Sequence, residues 1–254
     1  MTDLFKNELL KLKRSKSIKV LFWYFVAYSI IGALFYGGSN GDSFSRSGFS
    51  APFMTFAMHG ASGFFFYAAA AAGLVANEFS QGTIHNAISC GVERRRYFVA
   101  KTCCLLGVTV FLYLSNVLVH SLAQNAISSF DPYGLLYSRY WQKVLVFNLA
   151  AILLLLSYMS LFICIAYLCR RGVMTFVVSM VITTLELFLY SKSNPREIGG
   201  PLSVMWQMME IVKTDVSSDR LLEPDFFLML IPSLCMGVIS LAASYQLFKC
   251  ADIN

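Results

Sequence analysis

Charge is scarce in this sequence. Only 13% of its 254 residues are charged, about half of the roughly 25% carried by an ordinary soluble domain. Mean hydropathy is +0.63. A large soluble core would explain part of that deficit, but not several separate apolar runs, each near the ~20 residues that cross a bilayer. Chemical signatures are missing too. No GxxxxGK[ST] phosphate loop occurs, so the chain does not bind ATP by that route, and HExxH is absent. The seven cysteines, Cys90, Cys103, Cys104, Cys164, Cys169, Cys235 and Cys250, include no CxxC pair. Their odd number, mostly inside apolar stretches, argues against a disulfide framework and for small buried hydrophobes. No small-residue cleavage site follows the first apolar run, and the polar stretch before it is too long for a signal peptide.

What remains is an all-α membrane protein with six expected spans and no soluble catalytic domain. Residues 1–19 place Phe5, Leu9 and Leu12 on one helical face and Lys6, Lys13 and Lys16 elsewhere, the pattern of a basic amphipathic helix lying in the headgroup region. The expected spans are 20–37, 53–76, 98–122, 143–169, 173–190 and 226–248. Ala68–Ala72 and Gly73 provide the small side chains that let membrane helices approach. Pro232 predicts a kink near the start of the last span. Residues 191–225, with Pro195, Gly199, Gly200, Pro201 and Pro224, form the longest polar segment.

Net charge is +6. The basic residues flank apolar runs, which argues for orientation in a membrane and against nucleic-acid binding. With the N-terminus inside, the inner segments hold Lys6, Lys11, Lys13, Arg14, Lys16, Lys19, Arg94, Arg95, Arg96, Lys101, Arg170, Arg171 and Lys249, thirteen of the 20 Lys and Arg. Both termini are therefore expected in the cytoplasm. Gly37-Gly38-Ser39-Asn40-Gly41 matches GxSxG by letter, but that elbow needs a strand before it and a helix after it. A membrane helix leading into a polar loop supplies neither.

The informative stretch lies between the second and third spans. Glu78, Gln81, His85 and Ser89 fall at helical spacing and predict one polar stripe of a short helix over 78–90. Ile84 and Ile88 sit one turn apart on another face. Gly91 can stop the helix in a left-handed cap, and the next helix opens at Arg94-Arg95-Arg96. A solvated loop with topogenic arginines is the plainer alternative.

The pattern Glu78-x3-Gly82-Thr83-x2-Asn86-x4-Gly91-x2-Arg94-x2-Tyr97-x3-Lys101 resembles the cytoplasmic segment of ABC transporter type-2 permeases. Its nearest variant is that of exporters for bacitracin, lantibiotics and phenol-soluble modulins. Many permeases of the wider family carry proline near position 91; glycine here fits the peptide-export branch. The resemblance implies that 78–90 is a coupling helix docking on a separate ATPase, with Glu78, Gln81, Gly82, Thr83, Ile84, His85, Ile88, Gly91 and Arg94 as the coupling set. It implies two permease chains, identical or not, and two ATPase chains, which bind ATP and Mg in place of any cofactor here. It further implies a bacterial plasma-membrane location, a partly re-entrant 191–225, and a peptide cargo exported for toxin release or self-immunity.

Polar groups inside the spans are costly and often functional. Glu186 is the acid within an apolar run, and His59 and His120 fall toward the outer ends of their spans; together they are candidates for an outward-facing transport pathway. Nothing fixes their spacing for a metal. Two other classes stay open. An ion-coupled secondary transporter would need midplane charges and an internal repeat, and a non-transporting immunity or sensor protein would need no ATPase.

Overall fold

Apolar runs of this length can cross hydrocarbon only as helices, because every backbone N–H and C=O must then be satisfied within the segment. The computed structural model describes residues 2–37, 67–127, 140–192 and 224–250, and among the described residues every regular element is a helix. Helix α1 (Thr2–Arg14) is followed by a one-residue break at Ser15 and by α2 (Lys16–Gly37). The segments Leu4–Arg14 and Ile18–Leu34 meet at 58°. Phe5 and Leu9 are exposed while Glu8 and Leu12 are buried, so α1 turns one face outward and packs the other on the long helix Arg94–Ile127. The expected amphipathic helix is there, but the next helix begins at Lys16 rather than at residue 20.

Helix α3 is helical over 67–71, widens to a π-turn at Ala72–Ala76 and closes with one α-turn, Asn77–Ser80. The short α4 (Thr83–Ser89) and the long α5 (Arg94–Ile127) follow. Then come α6 (Tyr140–Cys169), α7 (Gly172–Lys192) and α8 (Pro224–Lys249). Three described segments are long and apolar enough to cross a membrane: Arg94–Ala126, Trp141–Cys169 and Leu230–Lys249. The bent α1–α2 pair adds a fourth if it is taken as one span, and Gly172–Glu186 is a shorter apolar helix. The expected second span before residue 67, the loop 38–52 and positions 193–223 lie outside the described residues, as does His59.

Helix α6 is the centre. Its apolar window is 67% buried, against 39% in α5 and 28% in α8, and it packs on α8, α5, α7 and the π-turn, while α2 packs on α5. Small residues set the closest approaches. A Cβ on Gly237 of α8 would lie 3.0 Å from Ser157 Oγ of α6. Ala68, Ala70, Ala71 and Ala72 are buried as expected. Gly73 differs, since its Cβ position has no neighbour within 4 Å among the described residues. Helix α8 is continuous through Pro232. The cysteines also depart from expectation: only Cys104 is buried, and Cys90, Cys103, Cys235 and Cys250 are exposed. Cys103 and Cys235 lie on the outward sides of α5 and α8, beside other exposed apolar side chains.

Candidate functional site

The segment 77–101 is an elbow built by two glycines. Gly82 (φ +67°) and Gly91 (φ +88°) both lie in the left-handed region, which side chains with a Cβ enter only at a cost. At Gly91 the ending is a Schellman cap: Val92 N–H donates to Ala87 C=O at 3.3 Å and Gly91 N–H to Ile88 C=O at 2.9 Å. The expected cap at Gly91 and the helix start at Arg94 are therefore present. The single helix over 78–90 is not. Gly82 breaks it, so Glu78 belongs to the end of α3 and only Gln81, His85 and Ser89 of the expected stripe are exposed.

Glu78 faces inward. Its Oε1 accepts from Lys101 Nζ at 2.6 Å and its Oε2 from Tyr97 O–H at 2.6 Å. Lys101 Nζ also donates to Glu8 Oε2 at 3.0 Å, and Lys11 Nζ donates to Glu8 Oε1 at 2.6 Å. Two carboxylates and two ammoniums thus balance across α1, α3 and α5, with the Lys101 and Glu8 side chains only 3% and 2% exposed. Burial alone would raise the Glu8 carboxyl, but Lys101 and Lys11 outweigh it and hold the group below its ordinary value. Burial would likewise lower Lys11, and its bond to Glu8 raises it instead. The sequence reading missed this network, although Tyr97 and Lys101 stand at i, i+4, the spacing that puts two side chains on one face.

Ile84 is a core residue at 2% exposure, and Ile88 packs half-buried against the same cluster. The isoleucine face therefore anchors α4 to its own chain and is not free to dock elsewhere. Behind it, Phe79, Tyr97, Phe98, Tyr167 and Phe248 form a run of ring contacts at 5.4–6.3 Å joining α3, α5, α6 and α8. Arg94 is a strut: its Nη1 donates to Lys249 C=O at 3.0 Å, satisfying a carbonyl at the end of α8. The turn Arg170–Gly172 reaches the same elbow, where a Cβ on Gly172 would run into the Asn77 carboxamide. Thr83 is half-buried, and His85, Asn86 and Ser89 remain outward.

The pathway candidates separate. His120, fully buried, holds Nδ1 3.0 Å from the Ser29 carbonyl of α2, so Nδ1 is the donor. Glu186 Oε2 accepts from Tyr158 O–H of α6 at 3.0 Å. The two engage different neighbours, α2 for His120 and α6 for Glu186. Each belongs to a polar stripe. Thr109, Tyr113, Asn116, His120 and Gln124 recur along one buried face of α5, and Thr175, Ser179 and Thr183 precede Glu186 on α7. Lys143, buried near the start of α6, is an ionisable group that sequence reasoning passed over because it opens the expected fourth span. Among the described residues no three His, Cys, Asp or Glu side chains are arranged to hold a metal ion.

The fold and elbow define a polytopic helical membrane protein whose longest helices meet at a rigid, charge-locked turn. The family model described as ABC-2 family transporter protein matches residues 4–186, which takes in α1 through α7. The chain belongs to that family, and it is a membrane subunit of an ABC transporter. No curated protein matches it.

Proposed function

We propose that this chain is the permease of an ATP-driven exporter in a bacterial plasma membrane, with six spans and both termini in the cytoplasm. Two such chains work with two copies of a separate ATPase, which binds ATP and Mg, and the cargo is an amphipathic or antimicrobial peptide. One observation carries the reading: α4 is a seven-residue helix with an outward polar face, set between glycine turns and tied inward by Glu78, Ile84 and Arg94. Such an element transmits a push without absorbing it. The polar face of Gln81, His85 and Ser89 meets the ATPase, and the network behind it passes the displacement to α1, α5 and α8. Glu186, at the end of the α7 stripe, contributes to the outward pathway.

The test is reconstitution of the chain with its ATPase in inverted vesicles and measurement of fluorescent amphipathic peptide uptake. ATP-dependent uptake that stops with a hydrolysis-deficient ATPase is expected. Uptake that follows an ion gradient and ignores ATP would replace this reading with secondary transport.

A further inference from the structure

A cavity of about 400 Å³ opens between the start of α2 and the end of α3, lined by Lys16, Ile18, Leu21, Ala69, Gly73 and Leu74 among others. Its volume is in the range of small-ligand sites. The π-turn presents Gly73 where a side chain would fill the space: among the described residues nothing lies within 4 Å of a Cβ built there. Among the described residues that line it, Lys16 alone is charged, and it is exposed at the rim. Lys13, Arg14 and Lys19 are exposed close by in sequence, and no acidic residue occurs from Leu9 to Gly37. The polarity is graded. Lys16 sits where α1 turns into α2, beside the face that Phe5 and Leu9 offer to headgroups, and Leu21 lies about 7.5 Å further along the helix axis, toward hydrocarbon.

We propose that this pocket holds an anionic phospholipid, its phosphate at Lys16 and one acyl chain packed between α2 and α3. Charge complementarity selects the headgroup, since basic pockets between spans suit anionic lipids, and the apolar walls select a chain over a free phosphate. The inference needs only a membrane-embedded chain and does not depend on the cargo or on the ATPase.

The experiment uses the full chain, delipidated in detergent, with native mass spectrometry and thermal unfolding as readouts. The probes are palmitoyl-oleoyl phosphatidylglycerol, the matching phosphatidylcholine, and glycerol 3-phosphate. Phosphatidylglycerol is expected to remain bound and to raise the melting temperature by a few degrees more than phosphatidylcholine does. Gly73→Leu and Ala69→Leu, which fill the pocket, and Lys16→Gln should each remove that difference, whereas Lys13→Gln should retain it. The pair of filling variants guards against one failing to fold. A full phosphatidylglycerol response in both of them would overturn the proposal. So would an equal response to glycerol 3-phosphate, which would leave a headgroup site without a chain. Protection of lipid-free protein by a cationic amphipathic peptide, lost on Gly73→Leu, would reassign the pocket to cargo entry. Loss of a cross-linked dimer in that variant would reassign it to a second copy of the chain.

Discussion

The Lys101 ammonium lies between two carboxylates, Glu8 at 3.0 Å and Glu78 at 2.6 Å. Removing one member of a buried ionic group leaves the others uncompensated, at a cost of about 3–5 kcal/mol, whereas removing all of them together is often neutral. Lys101→Met should therefore lower thermal stability sharply, and the triple variant Lys101→Met, Glu8→Gln, Glu78→Gln should recover most of it. Equal destabilisation by both would mean that the charges act singly. The pH dependence has a definite sign. Glu8 is held below its ordinary value of 4.5, so its contribution is present above that pH and is lost as pH falls through the lower folded value. Release of α1 on acidification, followed by proteolysis near Ser15, is the readout. Glu186→Gln keeps an acceptor for Tyr158, so the chain should fold and retain its ATPase while export falls. Unchanged export by Glu186→Gln and Glu186→Ala would limit Glu186 to a structural role. At this scale the sequence was only partly legible. Glycine at 91 announced its turn, because a left-handed cap has a sequence signature. The inward turn of Glu78 had none until Gly82 was seen to break the helix between it and His85.

At the scale of elements, α4 is set by its ends. Gly82 and Gly91 have open space around a built Cβ, so replacing either by alanine is penalised by the left-handed backbone alone, about 1–2 kcal/mol. Gly91→Ala should thus lower the melting temperature slightly and loosen coupling, measured as ATP hydrolysed per peptide moved. An unchanged ratio would show that the cap does not stiffen the elbow. Ile84→Asp, by contrast, places a charge at a 2% exposed position and should reduce the yield of folded chain, not ATPase binding in particular. The helical period of the sequence separated a polar stripe from an isoleucine face, but over one helix 78–90 that the structure divides at Gly82. Which face pointed inward was not legible, because an apolar face can pack on its own chain or dock on a partner.

The whole molecule is organised about α6, with the elbow under the ends of α3, α5, α6 and α8. Hydropathy alone located the long helices α5, α6 and α8, because a continuous apolar run leaves the backbone no other structure in lipid. The sequence did not disclose the pairing of α6 with α8 through Gly237 and Ser157, which depends on two small residues eighty positions apart. The proposed orientation, with the arginines at 94–96 and 170–171 inside, is open to direct test. Cysteines placed at Ser45 and Ser217 in a cysteine-free background should be labelled by an impermeant reagent on intact cells, and Ser89→Cys only after permeabilisation. The reverse pattern would invert the topology. The most direct measurement of the central claim compares co-purification of the ATPase, and its rate of hydrolysis, between the wild type and the α4-face variants His85→Asp and Ser89→Asp. Both side chains point outward, so the variants should fold as the wild type does, judged by yield and melting temperature, yet lose the ATPase or its stimulation. Wild-type co-purification and hydrolysis in both variants would show that α4 is not the coupling surface.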